Sequence, residues 1–174
     1  MLCMQKNIIY KMKYIKKFEA NNYLSIDESD ELINTICHNN YDKLSELLSK
    51  YKKRNVNINF DYNGGFTPLD YSILHRSSIK IIKMLIDYGA DINKQNISGV
   101  TPLMFASSRV KMDFHNFDIV IFLIKAGADW NIKDKHNLDF LDYLPEEKER
   151  YILKNFRIEY ENYLIKKNAD KYNL

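Results

Sequence analysis

The side chains able to do chemistry are few and scattered. His38, His75, His115 and His136 lie in separate stretches of the chain. None has a second His, Cys or carboxylate at a spacing that builds a metal site or a catalytic pair, so all four read as exposed turn residues. Cys37 directly precedes His38. Adjacent side chains on a helix do not face one another, which argues against a thiol–imidazole nucleophile and for a buried or neutral cysteine. Gly64-Gly65 lacks the Lys-Ser/Thr of a phosphate-cradling loop and reads as a turn. Two basic clusters could meet phosphate or an anionic membrane: Lys50-Tyr51-Lys52-Lys53-Arg54, and Lys6, Lys11, Lys13, Lys16 and Lys17 interleaved with apolar residues. The first reads more simply as a solvated loop inserted between a helix and a turn. The second reads as a flank that packs or stays loose. No catalytic residue, metal ligand or cofactor site is expected, and the chain reads as non-enzymatic.

Composition narrows the classes further. The chain has 174 residues, 45% of them hydrophobic and 13% aromatic, which suits one folded domain. Its formal net charge of +3, from 26 basic and 23 acidic residues, is too balanced to make nucleic acid the expected partner. Apolar runs such as Ile119–Ile124 fall short of the roughly 18 residues needed to cross a bilayer, so a membrane is not expected either. The N-terminus lacks the apolar core of a secretory signal. Two cysteines cannot make a disulfide framework. A reducing, cytoplasmic setting is therefore expected, with delivery into a host cell left open.

The elements that position these residues announce themselves through a period. Gly65, Thr67 and Asn59 return 34 residues later as Gly99, Thr101 and Asn93. Gly89-Ala90-Asp91 returns 38 residues later as Gly127-Ala128-Asp129, so the second unit is four residues longer. Residues 79–93 align without a gap to residues 117–131. Each unit has the same physical plan. Thr67 and Thr101 can cap a helix whose first residue is Pro68 or Pro102, where the missing proline N–H costs nothing. After a turn, a second helix carries apolar residues at helical spacing: Ile79, Ile82, Leu85 and Ile86, then Phe117, Val120, Leu123 and Ile124. Gly89 and Gly127 fit the left-handed position that ends a helix. A polar, turn-rich stretch, residues 90–99, then projects as a hairpin or extended loop.

This plan resembles the ankyrin repeat, carried here by Gly65-Phe-Thr-Pro-Leu69 with Gly89-Ala-Asp-Ile-Asn93 and by Gly99-Val-Thr-Pro-Leu103 with Gly127-Ala-Asp-Trp-Asn131. Degenerate copies flank them. Residues 32–48 with Val56-Asn-Ile-Asn59 lie upstream. In residues 133–144, Asn137 replaces the turn glycine, Asp139-Phe140 replaces Thr-Pro, and Leu141 is kept. The family usually has His after Thr-Pro-Leu and Gly-His between the helices; here Asp70 and Met104 stand in the first place, and His75-Arg-Ser-Ser78 in the second.

The resemblance implies an all-α solenoid of stacked helix–turn–helix units with short hairpin loops and a C-terminal capping helix. The expected boundaries are 1–26 for a basic flank, 27–60 for a degenerate first unit, and 61–94 and 95–132 for two full units. Residues 133–144 start a degenerate last unit, and 145–174 form the cap. Such units stabilise one another only by stacking. The resemblance also implies a monomeric protein-interaction module, an adaptor or host-interaction protein, whose contacts come from hairpin tips and first helices. Those positions are Asn63, Phe66, Ile97, Ser98, Lys135 and His136 at the tips, and Leu74, His75, Ser108 and Arg109 on the helices. Trp130 takes the place of Ile92 and is expected to pack between units. The alternative is a targeting module acting at nucleic acid or an anionic membrane through the two basic clusters.

Overall fold

The computed structural model describes residues 23–62, 65–112 and 115–156, together with residues 161 and 165. These residues form seven helices: α1 (Ile26–Cys37), α2 (Tyr41–Lys53), α3 (Pro68–Leu74), α4 (Ile79–Tyr88), α5 (Pro102–Arg109), α6 (His115–Lys125) and α7 (Glu146–Asn155). Among the described residues there is no strand, only an isolated bridge between Tyr62 and Phe66.

The helix starts follow from local chemistry. Ser25 caps α1, its hydroxyl accepting from Glu28 N–H while the Glu28 carboxylate accepts from Ser25 N–H. Thr67 does the same with Asp70, and Pro68 occupies the first helical position. At Thr101 the third residue is Met104, so a thioether sulfur takes the place of the carboxylate, 3.5 Å from Thr101 N. Gly89 ends α4 at φ +116°, as a residue without Cβ can do at little cost.

Helices α1, α3 and α5 form one row, α2 and α4 stand side by side behind it, and α6 packs on α5. Within units α1 packs on α2, α3 on α4 and α5 on α6; between units α1 meets α3, α3 meets α5 and α2 meets α4. One continuous core results, from Leu32 and Ile36 through Leu69, Ile73, Leu85 and Leu103 to Leu123, Phe140 and Ile152. This is the lateral shielding that a repeat architecture requires.

Three sequence expectations need correction. The basic run 50–54 is not an inserted loop: Lys50 to Lys53 form the last turn of α2 and Arg54 is its C-cap. Tyr51 is buried there, and its hydroxyl donates to the Glu28 carbonyl. The buried stripe of α4 is Ile81, Ile82 and Leu85, with Ile79 and Ile86 only half-buried, because α4 is gripped by α2 as well as by α3. In the last unit the first helix shrinks to a turn over residues 140–143, since the residue before Pro145 is steered away from helical geometry. Of the expected tail helix, α7 runs to Asn155 and residues 161 and 165 are also helical; Tyr160, Tyr163 and Leu164 lie outside the described residues.

Candidate protein-binding surface

Three loops repeat one geometry. Tyr62 N–H donates to Phe66 O at 2.8 Å, Asn96 N–H to Val100 O at 3.1 Å, and Asp134 N–H to Leu138 O at 2.9 Å. Neighbouring loops are joined at their tips, where Lys135 N–H donates to Ser98 O at 3.0 Å. Gln95 adds a bridge, its side-chain amide donating to Gly99 O at 2.7 Å and to Lys133 O at 3.0 Å. A Cβ on Gly99 would lie 2.9 Å from Lys135 N, so this glycine permits the close approach.

The loops and first helices bring together an aromatic cluster that ends in a cation. The rings of Phe66 and Phe105 are 5.3 Å apart, and those of Phe66 and Tyr71 6.3 Å apart, edge to face. Tyr62 meets Tyr71 edge-on at 5.3 Å, and its hydroxyl donates to Asp30 on α1. His75 stacks on Tyr71 at 5.9 Å. At the other end the Arg109 guanidinium lies 5.6 Å from the centre of the Phe105 ring. His38 and His75 are the C-caps of α1 and α3, and Arg109 is the last residue of α5, where the helix dipole favours its charge.

The expected contact residues divide into several groups. His75, Ile97, Ser98, Lys135 and His136 are exposed. Ile97 is 67% exposed, although one of its methyl groups sits against Gly65. Leu74, Ser108 and Arg109 are half-buried, and the Ser108 hydroxyl is used within α5, donating to Phe105 O. Phe66, expected at a tip, is half-buried inside the aromatic cluster. Asn63 lies outside the described residues.

The reading of the sequence missed Tyr62, Tyr71 and Phe105. The signal was available: Tyr71, Phe105 and Tyr143 occupy one position of the period, in step with Thr67, Thr101 and Asp139.

Charge is distributed unevenly along this face. On α1, Asp27, Asp30 and Glu31 surround an open hollow of about 520 Å³ that Asn34 and His38 also line. The basic cluster of residues 50–54 is tied down by α1 and the residues before it. Arg54 donates to Glu28 at 2.5 Å and Lys50 at 3.2 Å, and Arg54 also donates to Tyr23 O. The lysines of residues 6–17 lie outside the described residues. Burial pushes the Cys37 thiol up from its ordinary range, which disfavours a thiolate. Among the described residues no group of three His, Cys, Asp or Glu could hold a metal ion. Among the same residues, no helix is long and apolar enough to cross a membrane.

Comparison with known proteins agrees with this architecture. A family described as "Ankyrin repeats (3 copies)" matches residues 1–96, and one described as "Ankyrin repeats (many copies)" matches residues 85–144. The chain belongs to the ankyrin repeat family, whose members are generally protein–protein interaction modules without enzymatic activity. It is 38% identical over 73 residues to a putative ankyrin repeat protein of Fowlpox virus, a match covering 40% of this chain and 20% of that one. It is 28% identical over 120 residues to the B-cell lymphoma 3 protein homolog of Mus musculus, covering 68% of this chain and 24% of that one. It is 34% identical over 93 residues to transient receptor potential cation channel subfamily A member 1 of Homo sapiens, covering 51% and 8%. The matches span a quarter or less of the length of these relatives.

Proposed function

We propose that this chain is a protein-binding adaptor, acting on a protein of its own or of a host cell, and that it binds through the loops and first helices. One observation carries the reading: Arg109, Phe105, Phe66, Tyr71 and His75 form an unbroken run of ring and cation contacts on stacked units. Aromatic residues and arginine are the side chains most often responsible for binding energy at protein interfaces. The basic clusters support a targeting role less well, because Arg54 and Lys50 are already held by Glu28.

The test is quantitative capture on the immobilised full chain, compared with a Tyr71→Ala/Phe105→Ala chain whose helicity is checked by circular dichroism. Proteins held by the first and released by the folded second support the reading. Equal capture by both, or turnover of a small molecule traced to named side chains, refutes it.

A further inference from the structure

The place of Arg109 says what kind of segment this face takes. Its Nε is buried and has no hydrogen-bond partner. Arg54 and Arg150 reach carboxylates, whereas the Arg109 guanidinium rests on the Phe105 ring. Arg109 as a whole is half-buried, and a guanidinium on an aromatic ring also donates hydrogen bonds to a carboxylate. At the opposite end of the same face stand Asp27, Asp30 and Glu31.

We propose that the face binds an acidic, apolar protein segment: a carboxylate pairs with Arg109, and apolar side chains lie over Phe66, Phe105 and Tyr71. The inference rests on the protein-binding reading above and adds the chemistry and direction of the partner. The carboxylates of α1 repel the acidic end of the segment, so it lies with that end at α5. Stacked aromatics and an arginine also suit single-stranded nucleic acid. A polyphosphate, however, needs a continuous basic track, and here the track passes from Arg109 and His75 into the carboxylates of α1.

The experiment selects a displayed random-peptide library on the full chain and compares the winners on Arg109→Gln, Arg109→Lys and Tyr71→Ala/Phe105→Ala chains, with oligo-dT as competitor. The expected winners combine Asp or Glu with aliphatic residues. They bind Arg109→Gln more weakly by about tenfold or more, and Arg109→Lys to an intermediate degree. Arg109→Gln loses the contact with the Phe105 ring, so its thermal midpoint falls by only a few degrees, and Arg109→Lys, which keeps a cation there, by less. Weaker binding that merely tracks loss of folded protein, with no recovery in Arg109→Lys, gives Arg109 a structural role and overturns the proposal. So do winners without acidic bias, winners indifferent to Arg109→Gln, and displacement by oligo-dT. If those winners still need Tyr71 and Phe105, the general binding reading survives. If no peptide prefers the wild-type chain to the folded double variant, both readings fall.

Discussion

Asn93 reaches into the next unit, where its side-chain oxygen accepts the backbone N–H of Asp129 at 2.9 Å. One unit earlier, Asn59 does the same to Asp91 at 2.7 Å, and its amide also donates to Gly89 O at 2.9 Å. Asn131, the next in the series, instead folds back on Asp129 of its own loop at 2.7 Å. The repeated asparagine is thus a staple between successive units, used twice and then turned inward.

Replacing these asparagines by alanine should have unequal effects. Asn59→Ala loses two bonds between units and should cost about 1–2 kcal/mol, Asn93→Ala about 1 kcal/mol and Asn131→Ala about 0.5 kcal/mol or less. Urea denaturation of the three variants checks the order.

Glu28 gives stability an acid limb. Burial alone would raise its carboxyl, but hydrogen bonds from Arg54, Ser25 N–H and Lys50 outweigh that and hold it at about 2 against an ordinary 4.5. A carboxyl lowered in the folded state stabilises above its unfolded pKa, and that stability fades as pH falls from 4.5 towards 2. Allowing for solvent screening of a partly exposed group, about 1–2 kcal/mol is lost over this window. Glu28→Gln should be less stable at neutral pH, and its urea midpoint should change less between about pH 5 and about pH 2.5 than that of the wild-type chain.

The two Thr-Pro caps should respond differently to the same change. Burial pushes the Asp70 carboxyl up, while Thr67 N–H and hydroxyl, each 2.8 Å from one carboxylate oxygen, oppose the shift. Thr67→Ala removes the helix cap and one of those donors, and should cost about 2 kcal/mol. Thr101→Ala leaves only a thioether behind and should cost about 1 kcal/mol. Thermal denaturation at neutral pH compares them.

Two glycines with left-handed backbone should separate strain from crowding. Gly89→Ala meets nothing within 4 Å, so it should lose about 1 kcal/mol through its φ of +116° alone. Gly99→Ala has a similar strain at φ +79°, but its Cβ would also press on Lys135 N at 2.9 Å. It should cost about 2–3 kcal/mol, because the obstacle is backbone. Chemical denaturation that finds the two equal would show that the loop tips separate freely.

Much of this was legible in the chain because it rests on local rules. The Thr-Pro starts, the glycine stop at residue 89 and the left-handed Asn137 each follow from one residue's own conformational preferences. What could not be read depends on neighbours. Ile81 is buried because α2 covers a side of α4 that a lone amphipathic helix would leave to water. Arg54 looked free until Glu28, 26 positions earlier, was brought against it. Phe66 seemed to be a tip residue, and only the stacking of α5 beside α3 shows that Phe105 receives its ring.

Trp130 is the single tryptophan of the chain, 6% exposed and flanked by Phe140 at 5.0 Å and Phe156 at 6.5 Å. An indole held there makes the docking of the last unit optically visible. Its emission shifts to the red when water reaches the ring, whereas far-ultraviolet dichroism follows every helix at once. As denaturant rises, divergence of the two curves dates the loosening of the C-terminal side separately from the melting of the array.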